Sequence, residues 1–332
     1  MSFHFFGFWI TLLLSATSMA EQQYVNIGDL EMRSGEVLEN CSVGYRTYGE
    51  LNADKSNVLV FPTWFTGTTE ILEEFEKIGP GKLADTSRYF VIAIDALGNG
   101  VSSSPSNTEN FPHLSTVDMV QSQYRLLTEH FNLTHVNSVL GISMGGMQAF
   151  RWLEMYPNFM DAVIPIDASP KMTSYDLLQW NTHGDVARKM VASGYSDAET
   201  LGLISNISLL TLFTPEYFVD QVSPDNLADF LDEQKQGYLK LTVADYLAQS
   251  EAMIGHDVFD KNGDFPIKEE SAPRVLVIGV PTDHMVNQTP AREVAAQIGA
   301  EYLSVNNYCG HLGTTCDETI VVAKVAEFLS AE

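Results

Sequence analysis

Residues 136–152 read VNSVLGISMGGMQAFRW, a short apolar run, a Gly-Ile-Ser-Met-Gly turn and then the opening of a helical pattern. A buried strand running into a helix through G-x-S-x-G is the context a nucleophile elbow requires, and a bare match without those flanks is a common accident. The glycines have a steric purpose. A tight bend puts the central serine, Ser143, into strained backbone angles, and a side chain at Gly141 or Gly145 would meet the neighbouring strand or helix, with Gly146 adding close packing.

Working outward, NVLVFPT (57–63), RYFVIAIDA (88–96), VNSVLGI (136–142) and DAVIPIDAS (161–169) are near-continuous apolar runs of the kind that form strands buried on both faces of a parallel sheet. Between them lie helical patterns, clearest in TVDMVQSQYRLLTEHF, where Val117, Val120, Tyr124, Leu127 and Phe131 recur at three- and four-residue steps. Such alternation predicts right-handed crossovers and a mostly parallel α/β sheet covered by helices on both faces. Ahead of these runs, LEMRSGEVLENCSVGYRTYGEL predicts an antiparallel hairpin at a sheet edge, turning at Ser-Gly.

From Pro170 to Ala272 the strand pattern stops, and amphipathic stretches such as YDLLQW, NLADFLDEQ and TVADYLAQSEAMI replace it. PRVLVIGV (273–280) resumes a strand, REVAAQIG continues as helix, EYLSV as a short strand and DETIVVAKVAEFL as a closing helix. The division is therefore a core of residues 21–169 and 273–332, with a helical lid over 170–272, an interval far longer than one crossover needs. KNGDFPIKEE (261–270) reads as a solvated linker.

A serine hydroxyl is a weak nucleophile at neutral pH, so the elbow calls for a histidine base and an acid that orients it, in the chain order Ser, Asp, His. Asp283 lies in PTDHMVNQTP at the carboxyl end of the resumed strand, where open α/β sheets keep their sites. His311 lies in NNYCGHLGTTC before the last helix. Ser143, Asp283 and His311 are the catalytic candidates. Asp167, at the end of the strand after the elbow, competes for the role of acid. The other histidines fit worse: His4 is in the amino-terminal segment, His113, His130 and His135 precede the serine, His183 and His256 belong to the lid, and His284 is a candidate to line the pocket or face solvent. Acyl chemistry also needs oxyanion donors, expected from the N–H of Met144 and, after the first core strand in VFPTWFTGTTE, from Phe65, with Trp64 its neighbour and a candidate for the substrate pocket.

NVLVFPTWFTGTT, IGPGKLADTSRYFVIAIDALGNG, GISMGGMQAFRWLEMYP, the Asp283 loop and YCGHL together resemble the homoserine O-acetyltransferase family of α/β-hydrolase enzymes, over residues 40–170 and 273–330. The resemblance implies an α/β-hydrolase fold with Ser143 as nucleophile, Asp283 as acid, His311 as base and the Phe65 N–H in the oxyanion hole. It also marks departures. Where that family places an aspartate after the histidine to hold the substrate amine, this chain has Leu312. The family's lid carries Asn-x-x-x-Arg for the substrate carboxylate, but QWNTHGDVARK has Asn181 followed by Asp185, with Arg188 out of register. The turn LGNGVSSSPSNT is altered as well. Losing a buried ion-pairing partner costs a few kcal/mol of discrimination, which argues against homoserine.

Composition narrows the remaining classes. The 43 acidic residues against 18 basic ones leave a formal charge of −25, which disfavours nucleic acid and anionic membranes. MSFHFFGFWITLLLSATSMA, residues 1–20, is free of Lys, Arg, Asp and Glu and ends in a small-x-small pattern, which predicts a signal peptide and a secreted or periplasmic enzyme, an uncleaved anchor and a buried amino-terminal helix being the other readings. Export removes the chain from cytoplasmic acetyl-CoA. Cys309 and Cys316, with Cys41 the third cysteine, are either a disulfide clamping the His311 loop or unpaired thiols. No metal-ligand spacing, P-loop or dinucleotide fingerprint occurs, so no cofactor is expected. The sequence thus predicts an exported serine hydrolase acting on a small-molecule ester through an acyl-enzyme. An acetyl-CoA-dependent O-acyltransferase and a non-catalytic binding protein are its alternatives. A homodimer through the lid is the protein partner left open.

Overall fold

The computed structural model describes residues 20–266 and 273–331. The expected signal lies outside the described residues except for Ala20, as do residues 267–270 of the expected linker. No described helix is long and apolar enough to cross a membrane.

Eight strands form one sheet: β1 (Gln23–Asn26), β2 (Ser42–Tyr48), β3 (Val58–Pro62), β4 (Phe90–Ile94), β5 (Val136–Ile142), β6 (Met160–Ile166), β7 (Arg274–Gly279) and β8 (Glu301–Ser304). Their order is β1-β2-β4-β3-β5-β6-β7-β8, with β1 and β2 antiparallel to their neighbours and every other pairing parallel. The apolar runs became strands because both faces of each are covered. Along β3, Val58 and Val60 join one buried cluster while Leu59 and Phe61 join the other, and β7 divides Val275 and Val277 from Leu276 and Ile278 in the same way. A period of two with apolar residues on both sides leaves no polar position within such a strand.

Helices α1 (Thr69–Glu74), α2 (Thr116–Arg125) and α3 (Met144–Met155) follow β3, β4 and β5. On the first face α3 buries Met147, Phe150 and Trp152, and α2 buries Met119 and Val120 against it. Each such side chain withdrawn from water contributes roughly 1.5–3 kcal/mol. Polar groups between the helices are matched: Trp152 Nε1 donates to Gln123 at 2.7 Å, Gln123 donates to Gln148 at 2.6 Å, and Gln148 donates to the Thr63 carbonyl at 3.0 Å. That chain of bonds ties the helical layer to the segment after β3.

The edge hairpin is split. Leu30–Glu31 pairs with Val37–Leu38 around Ser34-Gly35 as a separate ribbon, while Ser42–Tyr48 pairs instead with Gln23–Asn26 in the main sheet. The helix expected through Phe131 is regular to Arg125 and then widens into a π-turn over Leu126–His130.

Between β6 and β7 the chain forms α4 (Ser174–Ala192), α5 (Asp197–Leu212), α6 (Pro215–Gln221), α7 (Leu227–Tyr238) and α8 (Val243–Ile254). Thr173 with Asp176 and Ser196 with Glu199 make capping boxes that start α4 and α5. Ala187, Leu201, Ile204, Val243 and Tyr246 form a small core of this insertion, and Phe65 of the main body packs against it. At its neck an isolated bridge joins Lys171 to Asp257, and Val258 N–H donates to the Pro170 carbonyl at 3.1 Å. Helix α9 (Thr289–Gln297) links β7 to β8, and after the short α10 (Gly313–Cys316), α11 (Glu318–Ser330) covers the second face with Val321, Val325 and Phe328.

Candidate active site

Ser143 stands between β5 and α3 at φ 55° and ψ −123°, and its N–H donates to the Ile166 carbonyl at 2.8 Å. A non-glycine residue with positive φ is strained by roughly 1–3 kcal/mol, and here close backbone packing enforces it. A Cβ added to Gly141 would lie 2.1 Å from the Gly145 carbonyl oxygen, and one on Gly145 would lie 2.5 Å from that of Pro62. Only hydrogen fits at either position.

Four loops at the carboxyl ends of strands converge on this bend. His311, in a helical turn after β8, places Nε2 2.9 Å from Ser143 Oγ and Nδ1 2.7 Å from Asp283 Oδ2. Asp283 follows β7, and its Oδ1 accepts the N–H groups of Met285 at 2.8 Å and Val286 at 2.9 Å, which hold the carboxylate in place. Gln288, missed in the sequence, contacts Oδ2 at 3.4 Å. Gly310 precedes the histidine at φ 68°, where a Cβ would sit 2.6 Å from the Leu212 carbonyl at the end of α5. Burial opposes protonation of His311, but the charge and hydrogen bond of Asp283, with the charge of Asp167, shift it above the ordinary imidazole value. The ring partner is thus Asp283 and not Asp167, which is bonded to Thr314.

Met144 opens α3, so its N–H has no acceptor within the helix. Phe65 lies in the segment after β3, pinned on both sides: Thr63 N–H donates to the Ile94 carbonyl at 3.0 Å, and Thr66 N–H donates to Gln249 Oε1 of α8 at 2.9 Å. Asp95, buried at the end of β4, accepts from Thr69 N–H at 2.8 Å and from Asn99 at 3.0 Å, while Asn99 also donates to the Gly67 carbonyl. Burial raises the Asp95 carboxyl, and these donors oppose the rise. No residue of this buried bracket was marked in the sequence as serving the site, because its members are dispersed polar residues without a motif.

The candidate substrate contacts separate. Phe65 faces the insertion, its ring 5.1 Å from Trp180 and 5.0 Å from Tyr246. Trp64 turns the other way, edge-on to Phe75 at 6.1 Å and against Gly67. His284 is exposed and Leu312 half-buried. Arg188 is 46% exposed and bonded to Glu251 at 3.0 Å, and Asn181 donates to the Leu177 carbonyl of its own helix. Neither side chain is turned to a buried carboxylate site. Cys309 and Cys316 form a disulfide, and Cys41 is a buried free thiol, raised to about 12 by burial. Among the described residues no cluster of three metal-ligating side chains occurs.

Residues 57–313 match the family model of the alpha/beta hydrolase fold. The chain belongs to that family. Among relatives of this α/β hydrolase, a probable esterase of Corynebacterium glutamicum is 29% identical over 76% of this chain and 84% of its own. A homoserine O-acetyltransferase of Geotalea daltonii is 29% identical over 57% of this chain and 58% of its own. The solved structure of the acetyl esterase MekB superposes with a TM-score of 0.84 at 26% identity, covering 94% of this chain and 97% of that one. The α/β-hydrolase fold and the likeness to homoserine O-acetyltransferases stand, and this α/β hydrolase is an esterase or acyltransferase.

Proposed function

We propose that this α/β hydrolase is an exported serine esterase for small-acyl esters, with Ser143, His311 and Asp283 as its triad. The observation that carries the reading is the unbroken bond path from Asp283 through both nitrogens of His311 to the strained Ser143 hydroxyl. In the first step Ser143 Oγ attacks the ester carbonyl while His311 Nε2 takes its proton, and Asp283 stabilises the imidazolium. The N–H groups of Met144 and Phe65 receive the developing oxyanion. The tetrahedral intermediate collapses as His311 returns the proton to the departing alkoxide, leaving an acyl-serine and an alcohol. Water then attacks the acyl-serine, giving its proton to His311, and the acid leaves as Ser143 recovers its hydrogen.

Acetyl is the favoured acyl group. Ser143 is 9% exposed and His311 7%, and Phe65, the second oxyanion donor, packs its ring against Trp180 and Tyr246 of the insertion. A relative of the same architecture is an acetyl esterase. Water as acceptor is favoured over homoserine because Leu312 offers no charge to an amine and Arg188 is engaged on the surface. The helical insertion acts as the lid that shapes this approach.

The test compares aryl acetate, butyrate and octanoate hydrolysis with thiol release from acetyl-CoA in the presence of homoserine. Acetate should be the best ester, Ser143→Ala should lower its turnover by a factor of about a thousand or more, and thiol release should stay at background. Equal turnover by Ser143→Ala, or homoserine-dependent thiol release outpacing ester hydrolysis, would overturn the esterase assignment.

A further inference from the structure

Asp167 directly follows β6, the strand beside the nucleophile's own, and no step of the reaction just described uses it. It is wholly buried, its backbone has φ 47°, and its N–H donates to the Ile278 carbonyl at 2.9 Å. The residue before it, Ile166, supplies the carbonyl that holds the Ser143 amide. Its Oδ2 accepts the Thr314 hydroxyl, three residues beyond His311 in the same helical segment, and its Oδ1 has no hydrogen-bond partner. A single helical stretch is therefore tied to two buried carboxyls, through His311 to Asp283 and through Thr314 to Asp167.

The ionisable groups around Asp167 are few. His311 reaches it from that segment, Asp283 from the loop after β7, Lys77 from the second face and Tyr302 from β8. Lys77 is already paired with Glu318 at 2.7 Å. Asp283 carries like charge, and the raised Tyr302 hydroxyl is neutral at physiological pH. The cation left to answer Asp167 among the described residues is the imidazolium that His311 becomes during each turnover.

We propose that Asp167 is a second carboxyl of the catalytic centre, a positioning residue that acts through His311 by answering its positive charge from beneath the histidine's own turn. The inference rests on the triad reading above. A buried oxygen with no donor makes the charged carboxylate costly. Accordingly burial raises Asp167 to about 7, with the charge of His311 opposing the rise and that of Asp283 adding to it. Asp167 in turn is one of the charges that shift His311 upward. Groups coupled this closely titrate as a set, so the acid limb of kcat/KM belongs to His311 and Asp167 together.

The decisive measurement is the pH profile of kcat/KM for an aryl acetate in wild type and Asp167→Asn, which keeps the shape and an acceptor for Thr314. Removing the charge should move the acid limb to lower pH by about half a unit, an increase of about threefold in the fraction of plateau activity retained at a pH well down the limb. KM should be little changed. Thr314→Val, which keeps the carboxyl but removes the donor favouring its charged form, should move the limb the same way by less. It also serves if Asp167→Asn fails to fold. A limb that stays at its wild-type position in the folded variants overturns the role of Asp167. Fluorophosphonate labelling of Ser143 separates the outcomes: a wild type neither labelled nor active defeats the triad reading itself, whereas a labelled, active enzyme with an unmoved limb defeats only this proposal.

Discussion

Ser143 owes its conformation to residues that lack side chains. Because a Cβ at Gly141 would lie 2.1 Å from the Gly145 carbonyl oxygen, the elbow cannot relax around even one methyl group without separating β5 from α3. Gly141→Ala should therefore lower stability by about 3 kcal/mol or more, at the upper end of overpacking penalties, with loss of ester turnover. Urea unfolding of the purified variant reads the first effect. A midpoint within error of wild type would show that the turn yields more easily than the packing implies. Ser143, Asp283 and His311 were all legible as residues, because the chemistry demands those types in that order. Thr314 was not, since its value depends on Asp167, 147 residues earlier, lying under the same turn.

Among the elements, the segment from Tyr308 to Cys316 is the one whose placement decides whether an imidazole meets the serine. It is held three ways: by the Cys309–Cys316 disulfide, by Asn307, whose side chain donates to the Gly313 carbonyl at 2.8 Å and accepts from Cys309 N–H at 3.0 Å, and by Thr214 of the insertion, which donates to the Tyr308 carbonyl. Closing so short a loop covalently contributes about 2 kcal/mol by the chain-entropy argument. Replacing both Cys309 and Cys316 by Ser should lower the unfolding free energy by about that amount and reduce kcat more than it changes KM, since the histidine's orientation loosens while the acyl pocket stays. Unfolding curves and steady-state kinetics on the double variant check both parts, and reductant should reproduce the effect in wild type but not in the variant. The sequence left this bridge open against unpaired thiols, because spacing does not reveal how far apart two Cα atoms come; here they are 6.6 Å apart.

For the molecule as a whole, pH acts through one buried histidine inside the insertion and one where the insertion returns to the core. His183 of α4 is buried, contacts the Tyr246 hydroxyl at 3.1 Å and is depressed to about 4 by burial. His256, at the return to the core, contacts Thr116 Oγ1 at 2.9 Å and is held well below the ordinary value by burial and then by the charges of Arg151 and Arg33. Folding favours both rings neutral. The unfolded chain therefore binds more protons below about pH 6.5, and the stability these histidines contribute, present above that pH, is lost as the pH falls toward about 4. Unfolding midpoints at pH 7.5, 6.5 and 5.5 should decline, and His183→Gln, which carries no proton to gain, should decline less steeply. Parallel curves for the two proteins would remove His183 from this account. A net charge of −25 opposes compactness at neutral pH and adds a salt-dependent part, so the comparison belongs at fixed ionic strength.

The sheet and its order of chemistry were readable because they are local: apolar runs buried on both faces, helical spacing between them, and a glycine-bounded serine where one becomes the other. Residue types alone also nominated the base and its acid, since few histidines and aspartates lie at the ends of core strands. Only the assembled structure chose between Asp283 and Asp167, turned Trp64 and Phe65 to opposite sides, and set Arg188 on the surface. Each of those outcomes depends on which neighbouring element a side chain meets, and contacts set by tertiary packing leave no periodic trace along the chain.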